Sequence, residues 1–141
     1  GWDTHVNQRG RLAAQLRGLD GMVAALRDGL GAEWGRTLVV VATEFGRTAR
    51  PNGTGGTDHG TASAAMLLGG AVAGGKVLAD WPGLAEQALY QGRDLRPTTD
   101  LDALIAGALA QHYGLDPRRT MQVLFPESRG SAHSSAMVKG A

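Results

Sequence analysis

The sequence predicts an α/β fold built on a parallel β-sheet, and two observations lead to this prediction. A long apolar stripe with helical spacing occupies residues 6–30, and an unbroken Val-rich run, TLVVVAT, follows at residues 37–43. A run without polar alternation is typical of a strand that is covered on both faces, as in parallel sheets. A helix followed by such a strand is typical of α/β proteins.

Two helices are predicted from the apolar spacing and from end signals. The stripe of the first helix has steps of four and three residues, which place it on one helical face; it consists of Leu12, Leu16, Leu19, Val23, Leu26 and Leu30. A second helix is predicted to start at Thr99 and to end at Gly114. Thr99 as N-cap with Asp102 three residues later resembles a capping box.

The composition favours a globular domain and argues against several other classes of protein. Of 141 residues, 43% are hydrophobic and 19% are charged, with a formal net charge of +1. This charge gives no electrostatic reason to expect nucleic acid as a partner, and no apolar run is long enough to predict a transmembrane helix. We expect one domain over residues 1–126 and a disordered tail over 127–141, which is rich in Ser, Gly and Ala.

Two short clusters pair an aspartate with a histidine. Asp3 and His5 are two residues apart, so in an extended segment their side chains point the same way. Asp58 and His59 are adjacent in a Gly-rich loop over residues 49–60, so an extended backbone points them to opposite sides, whereas a turn lets both reach one ion. With no cysteine in the chain, a metal site would use such histidines and carboxylates. The alternatives are a helix cap at Asp3 or Thr4 and a loop stabilised by backbone hydrogen bonds to Asp58.

Glu44 directly follows the predicted strand, and Arg47 lies three residues further along the chain. In open α/β sheets, functional loops lie at the carboxyl ends of strands, so Glu44 is a further candidate metal ligand. Arg47 either pairs with Glu44 or binds an anionic group of a substrate bidentately. Carboxylates, imidazoles and one arginine suit a divalent metal ion and an oxyanion substrate.

Five motifs, in order, resemble one protein family: GWDTHVNQ, VVVATEFGRT, NGTGGTDHG, GGAVAGGKVLADWPGL and RDLRPTTDL. That family is the sulfatase-like group called domain of unknown function 1501, and the resemblance spans about residues 1–126. The group is similar in turn to the alkaline phosphatase superfamily. The resemblance implies an alkaline-phosphatase-like, doubly wound, mostly parallel sheet with flanking helices, of which this chain is the C-terminal portion. It also implies an exported or periplasmic location.

The resemblance further implies roles for the candidate residues. One or two divalent ions (Zn²⁺, Ca²⁺, Mg²⁺ or Mn²⁺) would be bound by Asp3, His5, Glu44, Asp58 and His59. Arg47 would be catalytic, because it would hold the oxyanion. In the superfamily a strand is followed by Ser/Thr-Asp-His-Gly, which resembles the segment 43–46, so Phe45 replaces a histidine ligand. A second alignment places the segment 58–60 on that motif. The nucleophile matches nothing in this chain and is expected upstream.

Three hypotheses about function follow. The first is a metal-dependent hydrolase of phosphate or sulfate esters on small molecules or glycans, of which this chain is the C-terminal part. The second is a non-catalytic relative that acts as a binding or assembly protein, as the replacement of a histidine ligand by Phe45 suggests. In the third, the acidic residues and histidines only cap helices and form ion pairs. The sequence predicts no particular oligomeric state.

Overall fold

The computed structural model describes residues 2–140, which form two compact units. The first unit contains residues 2–31, 43–64 and 81–97, and the second contains residues 32–42, 65–80 and 98–140. All six candidate site residues belong to the first unit.

Three α-helices lie within residues 2–140: α1 (Gln8–Leu30), α2 (Leu101–Tyr113) and α3 (Pro117–Leu124). Helices α1 and α2 confirm the two predicted helices. Two short 3₁₀ helices span Gly31–Arg36 and Glu86–Ala88. No residue of α1 is buried, so its apolar stripe is not part of a core within the described chain. As predicted, no helix in the described part combines the length and apolarity that crossing a bilayer requires.

The N-cap of α2 is Asp100, so the predicted cap at Thr99 is wrong. Asp100 has an extended backbone, with φ −78° and ψ 129°, and its carboxylate accepts the N–H of Asp102 at 3.0 Å. An aspartate caps at least as well as a threonine, and here it stands one position nearer the first helical turn. The predicted end is confirmed, because Gly114 has a φ of 63° and its N–H bonds to the carbonyl of Ala110.

Four short strands form two antiparallel pairs. The strands are β1 (Val39–Val41), β2 (Gly46–Arg47), β3 (His59–Gly60) and β4 (Met66–Leu68). Strand β1 pairs with β4, and β2 pairs with β3. The prediction of a doubly wound, mostly parallel sheet is therefore wrong. Residues 2–140 are 38% helical and hold only these two small sheets.

The error in the sheet prediction has a physical cause. An unbroken apolar run such as 37–43 indicates that a strand is covered, but it says nothing about the direction of its partner. Strand β1 is only half-buried, and its partner β4 comes from the equally apolar run at 66–68. Strand β3 lies at the end of the Gly-rich loop 49–60 and was not predicted, because two residues are too few to show the alternation of a strand.

The core of the second unit forms where α2 meets the C-terminal segment. Ala108, Met137 and Val138 are buried together, and Leu38 and Leu104 are among the residues packed against them. The N–H of Ala73 donates to the carbonyl of Met137 at 2.9 Å, which joins this segment to the chain after β4.

The segment predicted to be a disordered tail, 127–141, contains two of these buried residues. The side-chain oxygen of Gln111 accepts the N–H groups of Met137 at 2.8 Å and Val138 at 3.2 Å, and the N–H of Lys139 donates to Ala71 at 2.8 Å. The prediction of disorder stays a prediction that amide hydrogen exchange tests. Slow exchange at Met137 and Lys139 would contradict it, because a disordered segment protects neither amide.

Candidate metal centre

The pairing of strands β2 and β3 places the motif TEFGRT, residues 43–48, beside the motif GTDHG, residues 56–60. Arg47 lies opposite His59 in the antiparallel register. Next to this pair, the N–H of Thr48 donates to the carbonyl of Asp58 at 3.0 Å, and the hydroxyl of Thr48 accepts the N–H of Asp58 at 3.2 Å. Two motifs that are separated by a Gly-rich loop in sequence therefore share one hairpin.

The N-terminal segment crosses the same loop. The N–H of Thr57 donates to the carbonyl of Thr4 at 3.2 Å. Thr4 is only 2% exposed, and the hydroxyls of Thr4 and Thr57 both donate to the side-chain oxygen of Gln8. Thr4 lies between Asp3 and His5 in the sequence, and its side chain is buried. The side chains of Asp3 and His5 therefore both point to the other, outer side of the segment, as their two-residue spacing predicts.

Asp3, His5 and His59 converge at one place. Oδ1 of Asp3 lies 3.2 Å from Nε2 of His5 and 3.0 Å from Nε2 of His59. One donor atom from each residue lies within 4.8 Å of the other two. The structure therefore brings together both Asp–His clusters, and three of the five predicted ligands meet with nitrogen or oxygen atoms facing one another. We call these three residues the trio.

Asp58 lies on the opposite side of the His5 ring from Asp3. Its Oδ1 is 3.1 Å from Nδ1 of His5 and 3.0 Å from Nδ2 of Asn52. The hydrogen bonds from Asn52 and His5 lower the pKa of Asp58, so its carboxyl is ionised at neutral pH. Asp58 thus contacts a member of the trio and is not among the three residues whose donor atoms converge.

Arg47 binds Asp3 and two backbone carbonyls. Its Nη1 donates to Thr57 at 2.9 Å, and its Nη2 donates to the carbonyl of Trp2 at 3.2 Å and to Oδ1 of Asp3. Partial burial raises the pKa of Asp3, but hydrogen bonds from Arg47 and His59 outweigh this effect, and the pKa lies below its ordinary value. Arg47 therefore holds Asp3 in place and partly neutralises it.

Phe45 stacks on the ring of His59. The two ring centroids are 3.9 Å apart at an interplanar angle of 22°, and the guanidinium carbon of Arg47 lies 5.5 Å from the centroid of Phe45. The ring packs against one face of the imidazole and offers no donor atom to an ion. Phe45 thus lies next to the trio. Position 45 is the one at which the resemblance implies that a histidine ligand has been replaced.

Glu44 lies apart from these contacts. Its side chain is exposed, and it is not in the convergent group found among residues 2–140. Arg47 forms its ion pair with Asp3, whereas the sequence suggested Glu44 as one possible partner. The role of Glu44 as a metal ligand stays a prediction.

A protein-family model matches residues 1–125 of the chain. It is the model of DUF1501, which is described as a protein of unknown function. The chain belongs to this family. The match confirms the family that the five motifs predict, while kinship with sulfatases and alkaline phosphatases stays a proposal. No curated protein and no solved structure matches the chain.

An ion pair that the sequence analysis missed borders the trio of this DUF1501 chain. Nη2 of Arg93 donates to the carbonyl of His59 at 3.2 Å. Asp94 is only 4% exposed and accepts hydrogen bonds from Nε of Arg93 and from the hydroxyl of Thr61, both at 2.8 Å. Its sequence signal is an adjacent Arg–Asp pair inside the motif RDLRPTTDL, but burial of the carboxylate is not visible in sequence.

A shallow depression of about 260 Å³ lies beside Asp58. Its wall carries two arginines and several polar groups; it is lined by Thr48, Arg50, Pro51, Asn52, Asp58, Gly92 and Arg93. Asn52, which the sequence analysis also missed, contacts both His5 and Asp58. The depression thus lies on the Asp58 side of His5.

We expect Asp94→Asn to lower the free energy of unfolding by about 1–3 kcal/mol at pH 7, because it weakens a buried, charge-assisted bond to Arg93. The hydrogen bond from Arg93 lowers the pKa of Asp94 below 3.8. The stability due to this carboxylate is therefore fully present above pH 3.8 and is lost as the pH falls through the lowered pKa.

Urea unfolding at pH 7 and at several values below pH 4 measures this difference between Asp94→Asn and the wild type. The difference should narrow at the acid end. Asp20→Asn, at an exposed position of α1, is the matched control and should change stability by less than about 0.5 kcal/mol. Equal stability of Asp94→Asn and wild type at pH 7 would contradict a stabilising role for the pair.

Proposed function

We propose that this DUF1501 chain contributes a divalent-metal site to a metal-dependent hydrolase of phosphate or sulfate esters. The observation that carries the proposal is the convergence of one donor atom each from Asp3, His5 and His59 within 4.8 Å. Exposed carboxylates often cluster without a metal ion. Two imidazole nitrogens that meet at one carboxylate are a more specific set, because neutral imidazole is the commonest metal ligand among side chains.

The donor set and its spacing fit such an ion. Donors that surround Zn²⁺ tetrahedrally at roughly 2.0–2.1 Å lie about 3.4 Å from one another. Oδ1 of Asp3 lies 3.2 Å and 3.0 Å from the two imidazole nitrogens, which is close to this spacing, and all three donor atoms lie within 4.8 Å of one another. Two nitrogen ligands favour Zn²⁺ over Ca²⁺, Mg²⁺ and Mn²⁺, which are better suited to oxygen ligands.

Asp3, His5 and His59 would hold the ion, and Asp58 and Glu44 are the further ligands that the sequence predicts. A bound divalent ion would supply polarisation of the ester and stabilisation of the leaving oxygen. In the structure Arg47 donates to Asp3, Trp2 and Thr57, which supports a role in orienting Asp3. Its proposed second role, holding an oxyanion, requires that it exchange one of these bonds for the substrate.

Phe45 supports a second candidate function. Its ring stacks at 3.9 Å on His59, where the superfamily resemblance implies a metal-binding histidine. A centre that lacks this ligand suits a non-catalytic relative, which would use the metal site and the adjacent depression for binding or assembly. The same ring is compatible with a hydrolase that uses one ion.

Metal analysis and turnover distinguish these functions. The chain, purified and incubated with Zn²⁺, should retain about one ion per chain after dialysis. Turnover of aryl phosphate and aryl sulfate should then be measured on the protein extended by the predicted upstream region, since the nucleophile is expected there. A protein that retains no ion refutes the metal site. A metal-loaded protein without either activity favours the binding or assembly function.

A further inference from the structure

The side chain of Asn52 is hydrogen-bonded at both ends. Its Nδ2 donates to the carbonyl of His5 at 2.9 Å and to Oδ1 of Asp58 at 3.0 Å. Its Oδ1 accepts the N–H groups of Thr54 and Gly56, each at 3.0 Å. One amide thus connects its own loop with the backbone of His5 and with the carboxylate that contacts the His5 ring.

The contacts of His5 favour one tautomer of its ring. A neutral imidazole has one N–H and one lone pair, and a hydrogen-bond acceptor selects which nitrogen keeps the hydrogen. Oδ1 of Asp58 lies 3.1 Å from Nδ1 in hydrogen-bonding geometry, whereas Oδ1 of Asp3 lies 3.2 Å from Nε2 as an ion-pair contact without that geometry, so we assign the hydrogen of the neutral ring to Nδ1. The lone pair then lies on Nε2, which is the atom that faces Asp3.

Asp58 needs a second contact to act in this way. Its side chain is 57% exposed, so water competes for its oxygens and its carboxylate can rotate. The hydrogen bond from Nδ2 of Asn52 reaches the same oxygen that accepts from His5. Because Asn52 is itself held by the N–H groups of Thr54 and Gly56, it restricts this oxygen to the Nδ1 side of the imidazole.

We propose that Asn52 is a positioning residue of the candidate metal centre. It holds Asp58, Asp58 holds the Nδ1–H of His5, and Nε2 of His5 is thereby left free to bind a metal ion. This inference rests on the proposed metal site. Histidine ligands commonly donate their second N–H to a carboxylate, and loss of such an outer partner typically costs about 10–100-fold in metal affinity.

The test uses Asn52→Asp, with Thr54→Ala as the matched control. Asn52→Asp keeps an oxygen for the N–H groups of Thr54 and Gly56, removes both donors and places a carboxylate against Asp58. Thr54→Ala removes hydroxyl bonds to the carbonyl of His5 at 2.7 Å and to Asn52 at 2.9 Å, but leaves the bond between Asn52 and Asp58. Both variants therefore loosen the same loop, and only the first breaks the connection to the His5 ring.

Two measurements on the whole chain give the readout. Long-range ¹H–¹⁵N spectra of the metal-free protein, recorded at a pH where they show the His5 ring to be neutral, identify its tautomer. Calorimetric titration with Zn²⁺ gives the affinity. We expect Nδ1–H in the wild type and in Thr54→Ala, a mixture of tautomers in Asn52→Asp, and an affinity about 10–100-fold lower in Asn52→Asp alone. The added charge would by itself raise the affinity, so a decrease identifies lost positioning.

Several outcomes would overturn the inference. The first is an Nε2–H tautomer of His5 in the wild type, which needs no variant and so decides the matter even if Asn52→Asp does not fold. The second is an Asn52→Asp protein with unchanged tautomer and affinity. The third is an equal effect in Thr54→Ala, which would show a general loosening of the loop. If the wild type binds no Zn²⁺, the proposed function fails, while the tautomer spectra still decide whether Asn52 and Asp58 orient His5.

Discussion

We expect the affinity for Zn²⁺ to fall by more than about 100-fold in His5→Ala and by a similar factor in His59→Ala. Each variant removes one of the two imidazole donors that converge with Asp3, and the loss should exceed the 10–100-fold typical of an outer partner. Isothermal titration calorimetry on each purified chain measures the affinity, and metal analysis after dialysis measures the retained ion.

The two histidines must act together for the shared site to exist. His5 and His59 belong to motifs more than fifty residues apart in sequence, and their ring centroids are 4.9 Å apart in the structure. If each bound zinc by itself, removal of one would leave roughly half of the bound metal. With a shared site, either single substitution removes nearly all of it, and the double variant adds little because the substitutions are not independent.

His112→Gln is the matched control for these variants. His112 lies on α2 and is not in the convergent group, so its loss should leave zinc affinity unchanged. Comparable loss in His112→Gln would mean that zinc binds to the histidines of this chain in general. Wild-type affinity in both His5→Ala and His59→Ala would leave the trio as a cluster of ion pairs around Asp3, which is the third of the sequence-based hypotheses.

The helices could be predicted from the sequence because their signals are local. The leucine stripe of α1 and the glycine that ends α2 act within one or two turns, so neither needs information about distant residues. The sheet could not be predicted in the same way. The valines of β1 indicate a covered strand, but their antiparallel partner β4 is set by a pairing 25 or more residues away that no local pattern encodes.

The candidate site was predictable in its chemistry and less so in its connections. The spacing of Asp3 and His5 correctly placed both side chains on one side of their segment, and the adjacent Asp58 and His59 do contact different partners. What remained hidden was that Asp58 reaches the far nitrogen of His5. That contact is supported by Asn52, whose Nδ2 donates to His5 in the N-terminal segment and whose Oδ1 accepts from Thr54 in its own loop.

The same crossing of the N-terminal segment and the loop makes Gly56 a position where one added methyl group should have a large effect on stability. We expect Gly56→Ala to lower the free energy of unfolding by about 3 kcal/mol, at the upper end of the usual cost of overpacking. Gly56 does not have a positive φ, so its backbone conformation admits alanine. The obstacle is space: a Cβ would lie 2.1 Å from both the carbonyl carbon and oxygen of His5 and 2.5 Å from the oxygen of Thr4.

These neighbours are backbone atoms, which cannot move away by changing rotamer as a side chain can. The loop and the N-terminal segment would have to separate, which would break the bond from Thr57 to Thr4 and draw His5 away from His59. Gly56→Ala should therefore lose zinc affinity together with stability, although it leaves every candidate ligand in the sequence. A fall of about 10 °C in Tm would accompany a 3 kcal/mol loss in a domain of this size.

Gly53→Ala is the matched control for Gly56→Ala in the same loop. A Cβ at Gly53 meets no atom within 4 Å, so we expect a change of less than about 0.5 kcal/mol and unaltered zinc binding. Thermal unfolding followed by circular dichroism, with zinc titration of each folded variant, makes the comparison. If Gly56→Ala is as stable as Gly53→Ala and binds zinc as tightly, the N-terminal segment does not lie against the loop, and the proposed metal centre loses the contact that assembles it.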